Sequence, residues 1–183
     1  MAKVTDKQIA AWKEEHGGVY AFPCEDKVGY LREPNMNDFK RAMVAMQKDG
    51  QVGFGETMLK GLWLDGDKEI IENDTYFLPA KKSMADFFEY EDAVIEDLGN
   101  GKSSIEVDGK KCTVRIITRE DLRIAEQKNP AQKPFVTQEK LFERIVLDQD
   151  DIFTDRKNAS VRFPLYQAIE KLQNTKVFRL KKL

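Results

Sequence analysis

Cysteine and histidine are almost missing from this chain: two thiols, Cys24 and Cys112, and one imidazole, His16, in 183 residues. With no Cys-x-x-Cys spacing and no further His to join them, neither a disulfide framework nor a His/Cys metal site is supported. Both cysteines lie in stretches that read as strands, where packed and reduced thiols are expected. Long apolar runs are missing too. None approaches the roughly 20 residues needed to cross a bilayer, and the opening Met1-Ala2-Lys3-Val4-Thr5-Asp6 lacks the apolar stretch of a secretory signal. An intracellular, globular protein with no membrane role is the expectation.

Catalytic patterns are equally sparse. A nucleophile triad needs a base beside its Ser or Cys, and His16 sits in a helix-stop sequence far along the chain from either thiol, so it reads as a surface histidine. Gly50-Gln51-Val52-Gly53-Phe54-Gly55 resembles a phosphate loop only superficially, because the Gly-Lys-Ser/Thr ending that grips phosphates is missing. Asp65-Gly66-Asp67-Lys68-Glu69 alternates carboxylates, but a calcium loop wants more oxygens and a glycine at its sixth position, where Ile70 stands. A capped acidic turn is expected there. No catalytic residue, no metal and no cofactor is therefore assigned, and the chain reads as a non-enzyme.

What is present is an internal echo. Sliding the sequence along itself by 83 positions, with no gap, puts Lys27 on Lys110, Arg32 on Arg115, Asp38 on Asp121, Ala42 on Ala125, Glu56 on Glu139, Leu64 on Leu147, Asp65 on Asp148 and Asp67 on Asp150. Similar residues share the offset, including Phe22 with Ile105, Phe39 with Leu122 and Ile70 with Phe153. Two copies of one small module are the natural reading. The expected fold is α+β, as two tandem repeats, each a β-hairpin followed by about three helices, over residues 1–98 and 99–183.

Local signals place the elements. Thr5-Asp6 caps a helix to about Glu15 that His16-Gly17-Gly18 stops, and this helix reads as a lid on the first unit. Hairpins are expected over Val19–Cys24 with Val28–Glu33 and over Ser104–Val107 with Lys111–Ile117, the second closed by the tight turn Asp108-Gly109. Each runs into a helix, opened by Pro34-Asn35 in one case and by the capping box Thr118-Arg119-Glu120-Asp121 in the other. Asp38 and Asp121 fall in equivalent first turns, where a carboxylate complements the helix dipole. Second helices are expected from about Phe54 to Leu64 and Thr137 to Leu147. Third helices are expected from about Pro79 to Glu91 and Phe163 to Leu172, with the proline in the first turn, and 96–103 reads as a linker. Trp63, Phe39 and Leu59 are the expected core of the first unit, matched by Leu122, Phe142 and Leu147. Residues 174–183 alternate apolar and basic side chains as a short strand or a basic tail.

Charge and methionine separate the halves. Residues 1–98 carry 12 Lys+Arg and 20 Asp+Glu, a net of −8, while residues 99–183 carry 18 and 12, a net of +6. Such a split suits head-to-tail self-association, docking of the halves, or a partner that meets one end, as well as two plain solvated surfaces. The basic tail on an acidic chain does not make nucleic acid an expected main ligand. On the first-unit helix Met36, Met43 and Met46 form a narrow stripe that the second copy replaces by Arg119, Glu126 and Asn129. Adaptable methionine side chains suit a protein-binding surface, which is the site assigned here; the alternative packs them under the N-terminal helix.

The segments Tyr30-Leu31-Arg32-Glu33-Pro34, entering a helix, and Leu62-Trp63-Leu64-Asp65-Gly66-Asp67-Lys68-Glu69-Ile70, leaving one, resemble small tail assembly chaperones of long-tailed bacteriophages and prophages. The resemblance covers roughly residues 16–95, with Asp65 where a glycine is common and with Val146 and Gln149 replacing the Trp and Gly in the second half. It implies a non-catalytic morphogenesis protein that coats the tape-measure protein or meets tail-tube subunits in the host cytoplasm during assembly. A structural virion component, capsid-associated or part of a connector, is the second reading, and a small enzyme the third.

Overall fold

Thr5 opens the first helix as expected. In the computed structural model, which describes residues 4–176 and residue 179, its side chain accepts from the Gln8 backbone N–H while Gln8 reaches back to the Thr5 N–H, the reciprocal bonds of a capping box. This helix, α1 (Asp6–His16), ends at Gly17 with φ 81° and buries no residue completely. Its Trp12 ring sits 6.0 Å from Tyr30.

The protein is α+β, with two small antiparallel sheets of three and four strands. It divides into two compact units, Met1–Glu89 and Tyr90–Leu183. In the first, β1 (Val19–Cys24) and β2 (Lys27–Arg32) form the expected hairpin around Glu25-Asp26. The helix α2 (Met36–Leu62) follows, capped by Asn35 and broken once, at Gly50 with φ 65°. The glycine-rich stretch is thus an elbow rather than a loop. A Cβ at Gly53 would lie 2.8 Å from the Ala45 carbonyl oxygen, so the chain after the elbow folds back tightly on the turn before it. The strand β3 (Trp63–Gly66) then pairs with β2, and α3 (Glu69–Glu72), α4 (Asp74–Ser83) and a 3₁₀ turn (Met84–Phe88) complete the unit. Leu31, Met36, Phe39, Ala42, Met58, Leu59, Leu62, Ile70 and Met84 make its core. Full burial of a side chain such as Phe39 or Leu59 contributes about 1.5–3 kcal/mol.

The second unit adds β4 (Val94–Gly99) to a hairpin of β5 (Lys102–Val107) and β6 (Lys110–Arg115). Helices α5 (Arg119–Gln127) and α6 (Val136–Ile145), the strand β7 (Val146–Gln149) on β6, a 3₁₀ turn (Asp151–Phe153) and α7 (Ala159–Gln173) follow. Asp108 and Gly109 both take positive φ, as a two-residue hairpin turn requires. Ile105, Val114, Ala125, Leu141, Phe142, Ile145, Phe153, Leu165 and Ile169 are buried.

Several expectations need correction. Trp63-Leu64 and Val146-Leu147 end no helix; they open the short strands β3 and β7, so Trp63 is half-buried rather than core and Leu147 is 51% exposed. Residues 96–103 are no linker, since Gly99-Asn100-Gly101 turns β4 into β5 and the boundary between units falls at Glu89/Tyr90 instead of 98/99. The change carries Glu91, Asp92, Glu96 and Asp97 into the second unit and shrinks the charge split from −8 and +6 to −4 and +2. The third helices start at Asn73 and Asn158 caps, leaving Pro79 and Pro164 one turn further in than expected. Of the C-terminal stretch, residues 177, 178 and 180–183 lie outside the described residues.

Candidate functional site

The most organised polar constellation in each unit joins an arginine at the end of a strand to an aspartate in the first turn of the next helix. In the first unit the Arg32 guanidinium donates to both oxygens of Asp38 at 2.7 Å, and also to the Gly61 carbonyl at 2.9 Å and the Glu33 carbonyl at 3.1 Å. Arg41 adds a bond to Asp38 at 2.5 Å, and the Asn35 N–H another at 2.9 Å. One side chain thereby ties β2, the start of α2 and its far end together. In the second unit Arg115 grips Asp121 at 2.7 and 2.9 Å and donates to the carbonyls of Arg144 and Ile116 at 3.0 Å each, while Arg144 and Thr118 also reach Asp121.

Both carboxylates are titrationally perturbed. Burial alone would raise the Asp38 pKa, but the bonds from Arg32 and the Asn35 N–H outweigh it and hold the group below its ordinary value. Asp121 is lowered chiefly by its hydrogen bonds from Arg115, against the opposing effect of burial, with Thr118 adding to the shift. These are the shifts of clamped ion pairs, not of a poised acid or base. Asp67 is spoken for as well: it accepts from the Val28 N–H at 2.9 Å and Asp150 from the Lys111 N–H at 2.8 Å, fastening β2 and β6 to the chain that leaves β3 and β7.

Elsewhere in the second unit Cys112 and Tyr166 are buried with the Arg162 charge acting on both. Burial pushes the Cys112 thiol up to about 12, which removes thiolate reactivity. The Tyr166 hydroxyl is likewise raised to about 12 by burial. Arg162, buried on α7, donates to the Phe153 carbonyl at 2.8 Å and the Asp155 carbonyl at 3.2 Å and lies over the Phe142 ring. His16 is half-buried beside Glu15. A surface hollow of about 400 Å³ in the second unit is lined by Ile95, Ile116 and Leu172 with Asp97, Lys102 and Arg115. Its lining also includes Ser103, the cross-strand partner of Asp97, and its arginine is already bonded to Asp121. Among the described residues no three His, Cys, Asp or Glu side chains converge as a metal site, and no helix is long and apolar enough to cross a membrane.

The methionine stripe is split by the fold. Met36 is fully buried in the core, so it cannot belong to a contact surface; Met43 and Met46 are half-buried on the turns of α2 before the elbow, next to Val44, which is 51% exposed. The matching stretch of the second unit has no such face. There α5 stops at Gln127, Glu126 is exposed, and Asn129 is buried with its side chain bonded to Lys133 and Thr137. Sequence spacing alone could not see that Met36 is covered and Met43 only partly so, because residues seven apart lie on one side of a helix and the stripe grazes the edge of the core face.

Comparison with protein families, with curated proteins and with solved structures finds no match to this chain.

Proposed function

We propose that the chain is two copies of one hairpin, helix and strand module, and that it acts as a non-catalytic protein-binding factor of bacteriophage morphogenesis, in the manner of the tail assembly chaperones its first half resembles. The two-copy reading is supported by shared bonding as well as shared letters. Arg32, Glu33, Asp38 and Gly61 in one network, and Arg115, Ile116, Asp121 and Arg144 in the other, stand 83 residues apart member by member. So do the bounds of β1 and β5, β2 and β6, and β3 and β7.

One further pair of positions supports the reading. A Cβ at Gly29 would lie 2.5 Å from Cη2 of Trp63, so the glycine makes room for the indole. The positions 83 further on hold Cys112 and Val146, a larger residue in place of the glycine and a smaller one in place of the indole. In a double-mutant cycle, Gly29→Cys alone is expected to destabilise by about 1–3 kcal/mol through overpacking. Adding Trp63→Val should recover part of that loss, with a coupling of about 0.5–3 kcal/mol in urea unfolding. Additive effects would remove the support this pair gives to the duplication.

The observation that carries the binding role is the half-buried pair Met43 and Met46, three residues apart on one side of α2, whose places 83 residues on hold Glu126 and Asn129. Its partner in this reading is a tape-measure, tail-tube, capsid or connector protein of the phage. The triple change Met43→Glu, Val44→Gln, Met46→Asn copies the second unit at exposed or half-exposed positions. It is expected to leave circular dichroism unchanged, to lower stability by about 1 kcal/mol for each methionine changed without unfolding the unit, and to weaken co-purification with the tape-measure or tail-tube protein at least tenfold. Undiminished binding would place the contact elsewhere, and recovery of the chain from purified virions would favour the structural-component reading.

A further inference from the structure

The strand β1 is an edge whose only blunting residue is Pro23, with none of the charged side chains found on the other edges. In the sheet order β1-β2-β3 its outer side meets no other strand among the described residues. An open row of backbone donors and acceptors invites pairing, and charged side chains commonly blunt it. The other edges conform: β3 carries Asp65, β4 carries Glu96 and Asp97, and β7 carries Asp148. The six residues of β1, Val19-Tyr20-Ala21-Phe22-Pro23-Cys24, include no charge at all. In the second unit the strand 83 residues on, β5, bears Lys102 and Glu106 and is nevertheless interior, covered by β4. The charged strand is shielded and the uncharged one is open.

Hairpin register determines which groups of β1 face outward. The Val28 N–H is taken by Asp67, on the β3 side of β2. Its cross-strand neighbour Pro23 therefore belongs to a non-hydrogen-bonded pair and turns its backbone away from β2, and alternation puts Val19 and Ala21 with it. The outward set is the N–H groups of Val19 and Ala21 and the carbonyls of Val19, Ala21 and Pro23.

We infer that this edge pairs with the same edge of a second copy of the chain, antiparallel about a two-fold axis at Ala21. In that register each Ala21 N–H donates to the Ala21 carbonyl opposite and each Val19 N–H to the Pro23 carbonyl opposite. Every outward donor is used, and the N–H that proline lacks is not missed. Tyr20, 44% exposed and edge-on to Phe87 at 5.1 Å, comes opposite Phe22 of the second copy, a favourable aromatic cross-strand pair. An uncharged strand also sets no like charges against each other on self-pairing. The two three-stranded sheets would join into one of six strands, a closed two-fold contact rather than an open chain of copies. The inference does not depend on the phage reading.

Light scattering on the full chain tests it. The parent is expected to be a dimer, and Ala21→Asp, which sets two carboxylates face to face at an exposed position, a monomer with unchanged circular dichroism. Ala21→Cys, oxidised in air, should give a covalent dimer whose peptide map joins position 21 to position 21. A parent that stays monomeric at every concentration reached overturns the inference, as does a dimer that survives Ala21→Asp. Should Ala21→Asp fail to fold, the Ala21→Cys map decides: a 21-to-21 disulfide supports the pairing, and its absence overturns it.

Discussion

Arg32→Ala is expected to destabilise the first unit by about 3–5 kcal/mol, the cost of removing one partner from a buried ion pair. Asp38 is only 3% exposed, and the change takes away both of its guanidinium bonds on the β2 side along with the link to the exposed Gly61 carbonyl at the end of α2. Arg41 remains on Asp38 from the solvent side and keeps the loss from being larger. Both tryptophans, Trp12 and Trp63, lie in this unit, so urea unfolding followed by tryptophan fluorescence reads it selectively. The pH dependence has a definite sign. Because the folded Asp38 pKa is depressed, the clamp's stabilisation is complete above the unfolded aspartate value of about 3.9 and drains away as pH falls below it toward the folded value. The parent should therefore lose more stability between pH 5 and pH 2.5 than Arg32→Ala does. Equal acid sensitivity, or a loss at pH 7 under about 1 kcal/mol, the range of an exposed pair, would show that the clamp does not hold the unit together.

This network shows how far local reading reaches. Asp38 and Asp121 are legible in the sequence as first-turn carboxylates, and the Thr118 capping box forms as its spacing implies. Arginine six residues before each aspartate repeats in both halves, yet nothing local says that a strand end will aim its guanidinium at a helix start; only the hairpin's return brings them together. The strands β3 and β7 escaped for a different reason. They are four residues long and continue the apolar run of the helix before them, and periodicity cannot separate a short apolar strand from a last helical turn. The strand β4 was hidden because Gly99-Asn100-Gly101 signals a chain reversal that serves a linker and a hairpin equally. That Met36 is covered while Met43 and Met46 are only half-buried was not legible, since spacing along one helix does not say what packs on it.

Met36→Arg, which puts into the first unit the residue type found at position 119, is expected to unfold that unit, with a loss of about 4 kcal/mol or more. The Met36 side chain is completely buried, so a guanidinium there must either give up its water without a partner or force the surrounding core apart. It would also stand in the first turn of α2, where the helix dipole opposes positive charge. At the matching place in the second unit Arg119 is exposed and pays neither cost. The same logic predicts the contrast with Met43→Glu and Met46→Asn, whose half-exposed positions let the new polar groups stay hydrated and should keep the loss near 1 kcal/mol. Fluorescence-detected urea unfolding of the three single variants separates the two roles. If Met36→Arg unfolds within about 1 kcal/mol of the parent, ordinary for a surface substitution, Met36 is not core and rejoins the proposed contact stripe; if Met43→Glu collapses the unit, that residue belongs to the core and the proposal loses it.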